Sequence, residues 1–201
     1  MSKLDEKKRQ KRESLLDSAF TLFISKGIND TSISDIVKNA NMAKGTFYLY
    51  FKDKFDLRDK LITSKAMLLF RNATENLAKK NFNTLEENVI YIADSVIDQL
   101  NEDKQLLKFI SKKLGWGIFQ NVLTTEDEQN GGYSFNDIYY SLLEKSGRKF
   151  KNPDLMLYMI VELINSSCYN VILEQQPVTL NVLKPELYAT VEDIIHRHEI
   201  K

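Results

Sequence analysis

The stretch TSISDIVKNANMAKGTFYLYFKDK, residues 31–54, decides how the rest of the chain is read. It reads as two short helices joined by a tight turn, followed at once by the start signal of a third. Thr31 and Ser32 offer hydroxyl N-caps, and Asp35, three residues after Ser32, completes a variant of the capping box. Ile33, Ile36, Val37 and Ala40 recur at helical spacing and are expected to face a core. Asn41 takes the corner, because asparagine tolerates a left-handed backbone better than most residues with a side chain. A second helix is expected over 43–50, with Phe47 and Phe51, four apart, buried.

The polar residues left over suit a DNA groove. A helix–turn–helix lays its second helix in the major groove, N-terminal end first. Lys44 can donate to a guanine edge or a phosphate. Gly45 has no side chain, so the backbone there can approach DNA closely. Thr46, Tyr48 and Tyr50 carry hydroxyls for phosphate oxygens, and Lys54, at the start of the next helix, adds a cation. With Ser32 and Ser34 from the preceding helix, the candidate DNA contacts are Ser32, Ser34, Lys44, Gly45, Thr46, Tyr48, Tyr50 and Lys54.

The run G-T-F-Y-x-Y-F-x-D-K-F-x-L from Gly45, preceded by S-x-x-x-I-V-x-x-A from Ser32, resembles the DNA-binding domain of the TetR family of transcriptional regulators. The resemblance covers roughly residues 13–61. The family pattern usually has Gly at Asn41, Ser or Thr at Ala43, and His at Tyr50. Ala43 leaves the recognition helix without a side-chain cap; Tyr50 keeps a hydrogen-bonding tip with a different reach. The resemblance implies a DNA-binding head, a helical body that binds an effector, and a homodimer acting on an inverted repeat.

Bulk properties agree with that architecture. The chain has 201 residues, 43% hydrophobic, with three prolines and seven glycines, which favours long helices over a turn-rich β fold. The expected fold is all-α, with about nine helices: a head over residues 1–52 and a helical effector-binding and dimerisation body over 53–201. Residues 1–60 hold 13 Lys/Arg against 9 Asp/Glu, a net of +4, and the remainder carries the balancing −4. That split fits a basic DNA-facing end. Cys168 is the sole cysteine and reads as a small buried hydrophobe. His196 and His198 have no acidic or cysteine cluster at ligand spacing, so neither a metal nor a cofactor is expected. No nucleophile–base pair, paired catalytic carboxylates or Gly-rich phosphate loop argues for an enzyme. From the charged start no signal peptide is expected. The most apolar stretch, 155–173, contains Glu162, Asn165, Ser166, Ser167 and Asn170 and reads as too polar for a membrane span. A cytoplasmic protein is expected.

Along the chain, residues 1–12 form a polar arm with six Lys/Arg and two acidic residues, able to track phosphates or to fray in solvent. A helix follows to residue 26, closed by Gly27. A long helix is expected over 53–79 with Phe55, Leu57, Leu61, Leu68, Leu69 and Ala73 as its apolar stripe. Thr84 and Glu87 form a capping box for the next. Further helices are expected over 104–114, 118–123 and from Phe135 to Gly147, with an acidic loop over 124–133. Asn152-Pro153 is an N-cap followed by proline at the first helical position. The last helix should begin near Lys184, which places Pro185 in its first turn.

The helix after Pro153 is apolar on nearly every face, with Glu162 its only charge between 155 and 173. Such a helix needs partners all round. Residues 153–198 are therefore expected to pair with those of a second chain in a four-helix bundle. Candidate effector-pocket residues are Tyr91, Phe109, Trp116, Phe119, Tyr139 and Met159, apolar groups with polar handles that suit a small apolar or amphipathic effector. An alternative keeps the same head but answers to a protein partner, or binds DNA constitutively.

Overall fold

The computed structural model describes residues 3–77, 79–111, 116–125, 132 and 134–200, with the side chains at 111 and 116–118 outside that description. Among the described residues the named elements are all helices, ten of them. They are α1 (Lys3–Lys26), α2 (Ile33–Asn39), α3 (Lys44–Tyr48), α4 (Lys54–Leu77), α5 (Leu85–Glu102), α6 (Lys104–Ser111), α7 (Trp116–Thr124), α8 (Phe135–Lys145), α9 (Pro153–Glu174) and α10 (Leu180–His198). Two compact units emerge, Met1–Ser64 and Lys65–Lys201. Their boundary falls inside α4 rather than at its start. The reason is apolar: Leu57, Leu61 and Ile62 of α4 are buried within the first unit, as are Phe47 and Phe51.

In the first unit α1 packs on α2, and Leu15, Leu16, Ala19 and Phe23 of α1 are buried. The polar arm expected over 1–12 is instead helical from Lys3. Glu6, Arg9 and Glu13 account for this locally, because Arg9 bonds Glu6 at 2.8 Å and Glu13 at 2.9 Å, pairs spaced three and four residues apart. Gly27 ends α1 with φ +85 and the turn bond from its N–H to the Phe23 carbonyl. On α4, Phe55 and Leu68 do not join the buried stripe; both are exposed.

The second unit is a helical body. Thr84 caps α5 with Glu87 as expected. Ser134 does the same for α8 with Asp137, a Ser-x-x-Asp signal the sequence reading passed over. α7 begins at Trp116, two residues before the expected start. The acidic loop over 124–133 lies mostly outside the described residues. At α9 Pro153 does open the helix, but Asn152 makes no side-chain cap bond. It contributes a left-handed backbone, φ 48, that turns the chain into the helix. α10 starts at Leu180 with Pro185 inside it, not at Lys184. The bond Pro185 cannot donate leaves the carbonyl of Asn181, an exposed residue open to water, so the early turn tolerates it.

Ion pairs fasten α10 and the chain beyond it to the body. Lys184 Nζ donates to Asp94 at 2.6 Å and Asp98 at 2.5 Å, and the Tyr188 hydroxyl donates to Asp94 as well. Arg148 grips Glu199 through two bonds of 2.8 Å and Glu86 through one of 2.6 Å. By length and composition alone α9 could cross a membrane, contrary to the sequence expectation. Here it serves the body's core: Met156, Leu157, Ile160, Cys168, Val171 and Ile172 are buried.

Candidate nucleic-acid interface

The corner between α2 and α3 is built by backbone chemistry. Asn41 takes φ 53, and the Met42 N–H bonds the Val37 carbonyl at 2.8 Å. At the start of α2 the cap is Ser32 alone. Its Oγ accepts the Asp35 N–H at 3.1 Å and donates to Asp35 Oδ2 at 2.9 Å, while its own N–H donates to the same oxygen at 3.0 Å. The Ser32 N–H, then its hydroxyl, and Lys26 at 3.1 Å hold the Asp35 carboxyl down at about 2. Thr31 does not cap. It is buried, and its hydroxyl donates to the Gly27 carbonyl at 2.7 Å, tying the α1–α2 loop together.

Two of the candidate contacts are thus committed elsewhere. Ser32 has one hydroxyl hydrogen, and Asp35 takes it. Lys54 has three N–H donors, and they go to the carbonyls of Ile28 at 2.9 Å, Asn29 at 2.9 Å and Thr31 at 3.1 Å. Lys54 is a clamp on the α1–α2 loop, so the donors expected to serve a phosphate are engaged within the chain. Sequence spacing could not have found this, because the acceptors are backbone atoms some two dozen residues away.

The remaining candidates do gather on and around α3. Ala43 caps without a side-chain bond, as expected of alanine. Ser34, Lys44, Gly45 and Tyr48 are exposed, and Thr46 and Tyr50 are half-buried. Phe47 beneath them is fully buried and meets Phe51 at 5.5 Å and the Tyr48 ring edge-on at 5.5 Å. A buried anchor therefore fixes an exposed helix tip. Gly45 has ordinary helical backbone, and a Cβ added there would meet nothing within 4 Å. Neither backbone strain nor packing inside the chain calls for glycine. Leu49, at the C-terminal end of α3, is 79% exposed. The sequence reading left it unassigned, since leucine at helical spacing ordinarily signals core.

The body holds an apolar cavity of about 110 Å³, lined by α4, α5, α6, α7, α8 and α9. Of the six expected pocket residues, Phe119 and Tyr139 line it. Tyr91 faces Phe82 at 5.2 Å and carries the Lys80 ammonium over its ring at 5.6 Å. Phe109 is buried outside the lining, and Met159 is exposed. The Trp116 side chain lies outside the described residues. The wall is mostly aliphatic, with Val89, Val96, Ile160, Val161 and Ile164 prominent. Searching for aromatics with polar handles missed them. Asn165 and the Tyr139 hydroxyl are the polar side-chain groups on the lining residues, and the hydroxyl already donates to the Pro153 carbonyl at 2.8 Å.

Residues 15–61 match the family described as bacterial regulatory proteins, tetR family. A Bacillus subtilis (strain 168) protein, the uncharacterized HTH-type transcriptional regulator YdgC, is 31% identical over 142 residues, 64% of this chain and 71% of its own. The fatty acid metabolism regulator protein of the same organism is 32% identical over 75 residues, 37% and 39% of the two chains. Among solved structures, the fatty acid degradation regulator FadR from Bacillus halodurans aligns with a TM-score of 0.63 at 19% identity, covering 90% of this chain and 94% of that one. FadR from Bacillus subtilis, solved with stearoyl-CoA, aligns at 0.62 and 21% identity over 91% and 97%. These structural likenesses establish the fold. With a helix–turn–helix whose exposed tip stands on a buried aromatic anchor, and with a relative of that closeness, the chain belongs to the TetR family of bacterial regulatory proteins and is a DNA-binding transcriptional regulator.

Proposed function

We propose that this regulator is a homodimeric repressor that reads an inverted-repeat operator and releases it on binding an apolar or amphipathic effector. The observation that carries the reading is Gly45: a glycine that nothing in its own chain requires, flanked by exposed Lys44 and Tyr48. Such a residue serves a surface that comes from outside. Lys44 is the proposed base reader, with Ser34, Thr46, Tyr48 and Tyr50 on phosphates. Leu49 adds an apolar contact suited to a thymine methyl. Lys44→Ala should lose about 1–3 kcal/mol of discrimination at one position per half-site. A binding-site selection experiment that returns the same consensus for variant and wild type overturns the base-reading role.

Two heads on a two-fold axis read half-sites roughly 34–36 Å apart, one turn of the duplex. Support for the dimer comes from apolar side chains left in solvent on the last two helices: Leu155, Tyr158 and Met159 of α9 and Val182 of α10. Sedimentation at micromolar concentration should give a species of twice the 23.4 kDa chain mass. A species at the chain mass removes the dimer.

The effector is proposed to enter the body cavity. Its aliphatic wall suits an alkyl segment better than an aromatic ring, and its 110 Å³ is below the roughly 300–1,000 Å³ of ordinary ligand pockets. A ligand must therefore widen it, and must bind the operator-incompetent form more tightly than the competent one. The small volume is also the observation that favours the second reading, regulation by a protein partner or constitutive binding. A melting-temperature screen with alkyl-chain compounds separates the two: a saturable rise that also lowers operator affinity supports the effector. No rise across chain lengths supports the alternative.

A further inference from the structure

The arm that precedes the head is helical, and its charges are sorted by face. Glu13 lies seven residues after Glu6 and four before Asp17, so these three acids share one face of α1. Arg9 is taken up by two of them. The other face is basic. Lys11 lies four residues before Leu15 and seven before Ser18; Lys8 lies seven before Leu15; Arg12 lies four before Leu16 and seven before Ala19. Leu15, Leu16, Ser18 and Ala19 are the buried side of α1, a helix that packs on α2. The cations therefore continue the buried face of the helix, N-terminal to the point where burial begins. Lys7, eight residues before Leu15, flanks them. Lys7, Lys8 and Lys11 are exposed, and among the described residues none has an ion-pair partner. Asp5 is the one acid on the rim of this face.

We infer that this N-terminal extension of α1 is a second DNA-binding element: a rigid basic stripe that lies on the operator's phosphates on the same side of the helix that faces the helix–turn–helix. The inference rests on the DNA-binding reading of α3 and adds a contact to it. A helix fixes what a loose strand would leave averaged. Lys7 and Lys11, four residues apart, are separated by a rise of about 6 Å, and the stripe from Lys7 to Arg12 spans about 7–8 Å. Facing phosphate rather than base edges, it raises affinity for every sequence alike and adds to salt dependence.

The test is the slope of log K against log salt for the full chain, with operator and scrambled duplexes, for wild type, K7A/K8A/K11A and K7R/K8R/K11R. Alanine is the better helix former, so the extension keeps its helix. The alanine variant should lose about 0.9 of slope per phosphate contact, up to about 2.7 per head, on both duplexes, with the operator-to-scrambled ratio unchanged. The arginine variant should keep the wild-type slope. An unchanged slope in the alanine variant overturns the proposal, and so does an equal loss in the arginine variant. So does a slope that stays put while binding to vesicles of phosphatidylserine and phosphatidylcholine falls, which would reassign the stripe to an anionic lipid surface. Failure of wild type itself to bind duplex with any salt dependence would strike the α3 reading instead.

Discussion

Gly45→Ala should yield a protein that is more stable and a poorer DNA binder. Glycine in a helix is disfavoured against alanine by roughly 0.5–1 kcal/mol, because its backbone loses more freedom on folding. Elsewhere such a glycine is explained by a positive φ or by a neighbour that a methyl would strike. Neither holds at Gly45, where the space around a Cβ is empty of protein. The methyl should therefore stabilise the folded head. On DNA the same empty space is where the duplex must come, and a Cβ there holds the α3 backbone away from phosphate. Loss of one close backbone contact should weaken binding about tenfold or more, since each 1.4 kcal/mol is a factor of ten. Urea unfolding and a gel-shift titration on one preparation check both signs. A variant that is more stable and binds as wild type would show that the duplex does not approach at α3's N-terminal turn.

Lys54→Met should act in the opposite way, through the fold. Methionine keeps most of the stem and removes the ammonium. Three carbonyls, of Ile28, Asn29 and Thr31, then lose their donor, and Thr31 is buried. Hydrogen bonds to a charged group contribute about 1.5–3 kcal/mol net, and an orphaned buried acceptor carries a penalty of similar size. A loss of about 2–3 kcal/mol is expected. The lower urea midpoint should come with faster amide exchange in α2, whose first turn hangs from the clamped loop. The rival reading, a phosphate contact, predicts native stability and a salt slope smaller by about 0.9 per head. The two outcomes are separable on the same variant.

The parts of the chain written in short-range chemistry were legible before any coordinates. Ser32 with Asp35, Thr84 with Glu87, the left-handed Asn41 and the Phe47–Phe51 pair each depend on residues within four positions, so spacing is enough to identify them. The Lys54 clamp was not legible, because its partners lie across a loop and are main-chain oxygens, which leave no trace in residue type. Asn152 caps α9 where its spacing placed it, but how it caps was not legible, because asparagine serves two purposes at a helix start, as a side-chain acceptor and as a tolerant left-handed residue. The start of α10 was placed late because proline was taken as a beginning; it sits instead where the carbonyl it orphans can be solvated. The cavity was hardest. Its wall is assembled from six helices, and valine or isoleucine on an apolar stripe looks the same whether it fills space or borders it.

The grip of Arg148 on Glu86 and Glu199 has a bearing on the order in which the protein comes into being. A ribosome delivers the chain from one end, at roughly 5–20 residues per second, and domains fold as they emerge. Everything in the unit Met1–Ser64 is at hand early, whereas the clamp that starts with Glu86 of α5 is complete only when Glu199 arrives. For roughly seven seconds or more a nascent chain therefore carries a finished head and an unfinished body. Hydrophobic segments of the body are then on offer to chaperones and to sister chains on the same message.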